Sequence, residues 1–463
     1  MTRPAKPRPA RSAEITSGRT RRALKLGALT GQVSTSYLVQ KLLKPFRSID
    51  THRQELIETH VRNAVRIVES STELRGAFTK LVQMLSMRDD LLPTQALDVL
   101  ASARSSVPPM PYRVIRDQIR AELGKPPEKL FASFDREAFA AASLGQVHRA
   151  ELADGTAVAV KVQYPKVNET LAQDLENLRA LLALLTRVGR DLLKKRVDTS
   201  GVARELEERL REEIDYRKEA ASIALFGRLF GDDEEIEIPE VVGELSSERV
   251  LTMSFLDGYP LAEVATPGVD QELKDWVAVK YFRAVCRQIL EFGVLHTDPQ
   301  PANYLVTHHP KLGILDFGSI RVFPEAMRVA YLRLSLALLA RDRGEMVAAC
   351  RELDYLHADD PADAMVEILE NLLQPILADR EYDFAEYRSL DRAVQVAGVA
   401  MEKGLYRTPG HRVFLVRALV GIETYVRQLG TVTNWRRIFA EEVASAENVT
   451  SSRRQEARRR RTT

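Results

Sequence analysis

The chain has 463 residues, 45% of them hydrophobic and 29% charged, with a formal net charge of +2. Those fractions are those of a soluble globular protein, and the length suffices for one large two-lobed core or two to three ordinary domains. No uncharged run approaches the ~18 residues of a membrane-spanning helix, the N terminus lacks the apolar core of a secretory signal, and so small a net charge predicts no nucleic-acid partner.

Charge gathers at the ends. The first 25 residues carry Arg3, Lys6, Arg8, Arg11, Arg19, Arg21, Arg22 and Lys25 against Glu14, and the last segment holds Arg453, Arg454 and Arg458 to Arg461. Such runs form solvated, disordered tails, or they attach electrostatically to anionic lipid headgroups. An Arg-rich, acid-poor start is also the texture of an organelle transit peptide. The expectation is a disordered basic tail over 1–22, a second basic tail over 448–463, and a cytoplasmic protein able to contact anionic membrane peripherally. From 23 to 126 apolar residues recur at helical spacing, as with Ala77, Leu81 and Leu85 on one face of Glu73–Met87, which Pro93 stops. This predicts a helical N-terminal extension, closed by Pro108, Pro109 and Pro111.

The texture then changes. Leu130–Asp135, Val147–Leu152 and Ala157–Val162 read as strands, the last two joined by a hairpin turn at Asp154-Gly155. Helical stretches follow at about 167–197 and 201–229, then strand-like Glu240–Val242 and Val250–Phe255, then a hinge at Leu256-Asp257-Gly258. Apart from short strands such as Lys311–Leu315, residues from about 270 to 445 are helical in pattern. The predicted fold class is α+β: a strand-rich small lobe over 127–255 with a helical insertion, and a helical large lobe over 256–447. Cys286 and Cys350 lie in helix-like apolar segments without a CxxC partner and read as buried thiols of a reducing compartment.

The strongest chemical signal is His296-Thr297-Asp298-Pro299-Gln300-Pro301-Ala302-Asn303, followed by Asp316-Phe317-Gly318. An Asp, an Asn five residues later and a second Asp before Phe-Gly is the order of polar groups in a protein-kinase active site. Asp298 would orient the nucleophile or accept its proton, while Asn303 and Asp316 hold Mg²⁺ against the phosphates of ATP. His296 taken alone is a core histidine that orients the loop.

Lys161 ends the apolar run Ala157–Val160, and a lysine on a buried strand is costly unless something anionic meets it. Taken alone, that run is also a common edge strand. Ahead of it, Ala140, Ala141, Ala142 and Ser143 occupy the place of a phosphate-covering loop, where each alanine Cβ restricts a backbone that glycine would leave free. Met253 and Phe255, ahead of the hinge, complete the nucleotide-binding set. Glu219 is one candidate partner for Lys161. Glu213 and Asp215 precede it on the same expected helix and leave the choice open.

Together these residues resemble the UbiB/AarF family of atypical kinases, related to the ADCK and Coq kinases of coenzyme Q biology. The resemblance rests on Ala140–Ser143 followed by Gly145-Gln146-Val147-His148-Arg149-Ala150, on Glu213-x-Asp215 ahead of Glu219, on Asp298-Pro299-x-Pro301-x-Asn303, and on Phe78–Pro93 as the counterpart of a Lys-x-Gly-Gln helix. It is close over 70–330 and looser beyond. It implies that Lys80, Gln83 and Glu213 form a polar cluster closing the cleft that ordinary kinases use for protein substrates. It also implies ATPase or unorthodox kinase activity, a lipid or isoprenoid ligand, and membrane association. Val82 replaces the helix glycine, Gln300 the usual histidine and Ala302 the usual glycine, so this is a divergent branch. Two other readings remain at this stage: a pseudokinase scaffold that switches lipid or protein binding with nucleotide, and a small-molecule phosphotransferase of the aminoglycoside or choline type. The Lys80–Gln83 helix and the triple alanine argue against the latter.

Overall fold

The computed structural model describes residues 49–74, 109–142, 144–165, 214–298, 303–384 and 410–462, with 27–29, 31–36, 38–40, 99, 167, 175–176 and 207 in addition. The chain divides into two units, Met1–Ala221 with Glu240–Phe255, and Ser222–Pro239 with Leu256–Thr463.

In the first unit the extension contributes the helices α1 (Ile49–Leu74) and α2 (Tyr112–Leu123). Helix α2 starts after Pro111, whose missing N–H costs nothing there, and stops at Gly124, whose left-handed backbone returns an N–H to the Arg120 carbonyl. Its Ile115 and Ile119 recur at helical spacing and are buried. They pack with Met110, Phe131, Ala150, Val158, Val160, Val162 and Val250 in one apolar core, the side chains larger than alanine each contributing about 1.5–3 kcal/mol on burial.

That core covers one face of an antiparallel sheet built from β1 (Ser133–Phe134), β2 (Ala140–Ala142), β3 (Gly145–Glu151), β4 (Ala157–Gln163) and β5 (Val250–Ser254). Its order is β1-β3-β4-β5, with β2 on β3. Because strand side chains alternate, Val158, Val160 and Val162 face the core while Ala159 and Lys161 share the other face. The β3–β4 turn takes the form its Asp-Gly requires: Gly155 has a φ of 88°, and Asp154 Oδ1 accepts from the Thr156 N–H at 2.9 Å.

Four expectations change. Ala140–Ala142 is not a loop but a strand, in register with Gly145–Val147, since small residues pair as readily as large ones once the neighbouring strand supplies the ladder. The run Leu130–Asp135 is strand only at Ser133–Phe134, because a 3-10 turn at Pro127–Lys129 takes up the chain just before it. The helix expected over 201–229 is helical at Glu207 but interrupted at Ile214 and Asp215, and its last part is α3 (Tyr216–Leu229). Asp215 stands ahead of α3 and caps it by accepting from the Arg217 N–H at 3.1 Å. The stretches 75–98 and 177–200 lie outside the described residues.

The second unit is mainly helical. It contains α4 (Gln271–Arg287), α5 (Glu325–Ala340), α6 (Arg343–Glu352), α7 (Ala362–Leu372), α8 (Gly410–Leu429) and α9 (Trp435–Thr462). Val277, Ala278, Tyr281 and Phe282 of α4 are buried, as is Trp435 at the start of α9. Here lies the fourth correction: the C-terminal basic run is not a disordered tail but continues α9 to Thr462.

The strands of this unit carry its loops. Strands β6 (Gly258–Pro260), β8 (Tyr304–Thr307) and β9 (Leu312–Ile314) form one sheet with the short strand Ile236–Glu237, and β7 (Val294–His296) pairs with β10 (Ile320–Val322). Between α4 and β7 the helix widens into a π-turn at Gln288–Phe292 and ends at left-handed Gly293.

Candidate active site

In the first unit the site is built around Lys161. Its Nζ donates to both carboxylate oxygens of Glu219, at 2.7 and 2.9 Å, and lies 5.2 Å from the centre of the Tyr216 ring. Lys161 is 8% exposed and Glu219 5%. Of the carboxylates left open by the sequence, Glu219 makes this contact, Asp215 caps α3, and Glu213 lies outside the described residues. Glu219 is reached because α3 begins at Tyr216, one turn before it, with the Tyr216 N–H fastened to the Glu248 carbonyl at 2.9 Å.

Strand β3 can lie this close to β4 only because residue 145 is glycine: a Cβ there would come 2.3 Å from the Val162 carbonyl oxygen and 2.9 Å from the Tyr216 hydroxyl. On the far side of β3 the amide of Gln146 accepts from the Met110 N–H at 2.7 Å and donates to the His148 ring at 2.9 Å, while the other ring nitrogen of His148 meets the Asp135 carbonyl at 2.8 Å. An amide NH₂ can only donate, so His148 Nε2 accepts and Nδ1 carries the proton. Burial lowers the His148 pKa, in keeping with a neutral ring.

Ala140 and Ala141 are exposed and Ala142 is half-buried, along β2. Phe255 packs edge-on against Phe139, ring centres 5.6 Å apart, with the Arg149 guanidinium 4.5 Å from its centre. Met253 pairs in register with Ala159.

In the second unit the loop after β7 carries Asp298 and the turn after β9 carries Asp316. Asn303 Nδ2 donates to the Asp298 carbonyl and to its Oδ2, both at 3.0 Å. Spending the nitrogen this way fixes the amide orientation and leaves Oδ1 as its acceptor for a cation. Asp316 has a φ of 54°, a left-handed backbone uncommon for a residue with a Cβ, and its Oδ1 accepts from the Gly318 N–H at 3.3 Å. His296 Nε2 donates to the Asp316 carbonyl at 2.9 Å. Its ring is caged by Phe226, Phe317 and Tyr304. Three buried tyrosines, Tyr281, Tyr304 and Tyr425, are all held protonated, chiefly by burial and to a smaller extent by the negative field of Asp298.

One carboxylate and one amide oxygen suit Mg²⁺, which keeps several waters and takes further oxygens from phosphates. Among the described residues no group of three or more His, Cys, Asp or Glu side chains forms a cage that holds a metal by protein alone.

Ser143, Lys80, Gln83 and Glu213 lie outside the described residues, as do Gln300 and Ala302. Two contacts were not legible beforehand. Tyr216, over Lys161, had no signal apart from its place in Asp215-Tyr216. Gln288, which accepts from the His296 backbone N–H at 2.8 Å, was marked only as a glutamine beside Arg287 at the end of a helix-like segment.

A model of the ABC1 atypical kinase-like domain matches residues 102–350, just over half of the chain. The protein of Rattus norvegicus named atypical kinase COQ8B, mitochondrial, is 34% identical over 365 residues, which cover 78% of this chain and 68% of that protein. Atypical kinase COQ8, mitochondrial, of Saccharomyces cerevisiae is 29% identical over 438 residues, 93% of this chain and 86% of that one. Among solved structures, the complex of Rv3197 with erythromycin from Mycobacterium tuberculosis aligns with a TM-score of 0.58 at 23% identity, covering 84% of this chain and 97% of that one. That likeness bears on the fold, which is kinase-like and α+β. With the family model and the relatives agreeing, the chain belongs to the ABC1 atypical kinase-like family, the UbiB/ADCK atypical kinases.

Proposed function

We propose that the protein is a Mg²⁺-dependent, ATP-binding atypical kinase or ATPase. The observation that carries this is the buried Lys161–Glu219 pair, since a lysine this enclosed is costly unless its charge is used. Glu219 holds the ammonium in one place, where Lys161 can meet the phosphates of ATP. Ala140, Ala141, Ala142 and Ser143 line the phosphates, and Met253 and Phe255 the base. Asn303 and Asp316 hold the metal. When bound, Mg²⁺ neutralises phosphate charge and fixes phosphate geometry. Asp298, oriented by Asn303, positions the acceptor hydroxyl or a water and takes its proton.

The names of the relatives and the family resemblance support a role in isoprenoid-lipid or quinone metabolism, with a lipid or isoprenoid as ligand. Lys80, Gln83 and Glu213 are the proposed cover that keeps protein substrates out. No helix among the described residues is long and apolar enough to cross a membrane, so contact with anionic lipid would be peripheral and carried by the basic ends.

The deciding experiment is Asp316→Asn. Removing one such charged contact costs about 3–4 kcal/mol of barrier, or about 10²–10³ in rate. The variant is expected to lose ATP turnover and to bind Mg-ATP more weakly while metal-free ATP affinity holds. Unchanged turnover refutes the assignment.

A further inference from the structure

We infer that Gln288 is a positioning residue for Asp316, acting through His296; this rests on the reading of Asp316 as a magnesium ligand. Asp316 is held at a φ of 54°. A left-handed residue with a Cβ persists only where its surroundings hold it, and such strain gathers at functional sites. The Asp316 carbonyl accepts a hydrogen bond from His296 Nε2, at 2.9 Å. A carbonyl only accepts, so Nε2 carries a proton and is the donor.

The place of His296 is fixed in turn. Phe226, Phe317 and Tyr304 enclose the ring, and its backbone N–H donates to Gln288 Oε1 at 2.8 Å. Gln288 opens the π-turn Gln288–Phe292. That turn buries Gln288, Ile289 and Leu290, and its wider winding shifts the line of side chains relative to α4. The widened turn is what lets a glutamine on α4's line reach the strand β7.

For stability alone the glutamine is a mixed choice, satisfying one buried group and orphaning another. Gln288 and His296 are each 1% exposed, and Gln288 Nε2 and His296 Nδ1 have no hydrogen-bond partner among the described residues. A buried polar atom left unpaired is destabilising; methionine or leucine would remove the unpaired Nε2 but orphan the His296 N–H instead. What only the glutamine supplies is the acceptor for the His296 N–H. The consequence for function is a relay of position: π-turn to Gln288, Gln288 to His296, His296 to the backbone of Asp316, and so to the direction in which its carboxylate points.

The test uses the full chain with Gln288→Met and Gln288→Glu. The first is of similar length without the acceptor; the second is isosteric and keeps it. Each is read by the Mg²⁺ concentration that half-saturates the thermal shift given by a non-hydrolysable ATP analogue, by metal-free analogue affinity, and by ATP turnover. Gln288→Met is expected to raise the half-saturating Mg²⁺ about tenfold, equivalent to about 1.4 kcal/mol. Its metal-free affinity should stay within about twofold of the parent, and Gln288→Glu should keep its Mg²⁺ requirement within about threefold, since a single buried contact shifts only the step it serves. An unchanged Mg²⁺ requirement in Gln288→Met overturns the inference, as does a Gln288→Glu variant equally impaired. If Gln288→Met does not fold, Gln288→Glu decides alone: a tenfold rise there, on the order of 1.4 kcal/mol, overturns it. A parent protein without any Mg²⁺-dependent shift overturns the magnesium reading itself, and this role with it.

Discussion

Replacing Glu219 with glutamine removes one charge and keeps the shape of the side chain. Lys161 and Glu219 are 8% and 5% exposed, so water screens their pairing little. Both carboxylate oxygens accept from Nζ, at 2.7 and 2.9 Å. Removing one partner of a buried pair costs about 3–5 kcal/mol, because the other charge stays behind unpaired. Two features soften this: the glutamine carbonyl still accepts one bond, and the Tyr216 ring, 5.2 Å from Nζ, offers about 0.5–2 kcal/mol of cation–π attraction. The net loss is then about 2–3 kcal/mol, or a fall of about 4–12 °C in the Tm of a domain of about 150–250 residues. Thermal unfolding without nucleotide measures it. The double variant Lys161→Met with Glu219→Leu separates stability from function. Exchanging a whole buried pair for apolar residues is often neutral or stabilising, so its Tm should recover while ATP binding stays lost. Glu219→Gln with an unchanged Tm, or a double variant that still turns over ATP, refutes the reasoning that this lysine is kept for an anionic ligand.

Some of this was plain in the sequence because it is written locally. Alternation along Ala157–Val162 and the Asp154-Gly155 turn specify a hairpin in a dozen residues, and Lys161 rides on it. Asp298, Asn303 and Asp316 are separated by spacings short enough to read directly. The choice among Glu213, Asp215 and Glu219 was not, because it depends on where a helix starts. Asp215 accepts from the Arg217 N–H and so ends up as the cap, leaving Glu219 one turn inside. The C-terminal arginines misled for a different reason. Composition alone marks them as a disordered run, but arginine is also a good helix former, and α9 is anchored at its other end by the buried Trp435. Nothing in the chain announces a π-turn, so Gln288 was one polar residue among several along α4, and only the fold sets it against the His296 N–H.

Two further outcomes bear on the ends of the chain and on pH. Changing Arg458 to Arg461 to glutamine should cut co-sedimentation with phosphatidylserine vesicles steeply, at about 1 kcal/mol per arginine near the surface; binding that ignores anionic lipid content removes the membrane argument. The second concerns two buried histidines. Burial drives His60 down to about 4 and lowers His148 from its ordinary value, so both are neutral in the fold and protonate more readily in the unfolded chain. Above pH about 6.5 neither state is protonated and the stability they confer is complete. As pH falls below that, the unfolded chain takes up protons first and stability drops by up to about 1.4 kcal/mol per pH unit for each histidine. The loss for His60 continues until its folded value near 4 is reached. For His148 there is a structural reason beyond burial: a protonated Nε2 can no longer accept from Gln146, so the clasp on Met110 loosens as the ring charges. Urea unfolding between pH 7.5 and 5, ahead of the carboxylate range, should therefore show a declining free energy. His60→Gln and His148→Gln should each flatten that slope by about one proton's worth. A parent protein equally stable at pH 7.5 and 5, or variants that keep its slope, would show that these rings are not neutral in the fold.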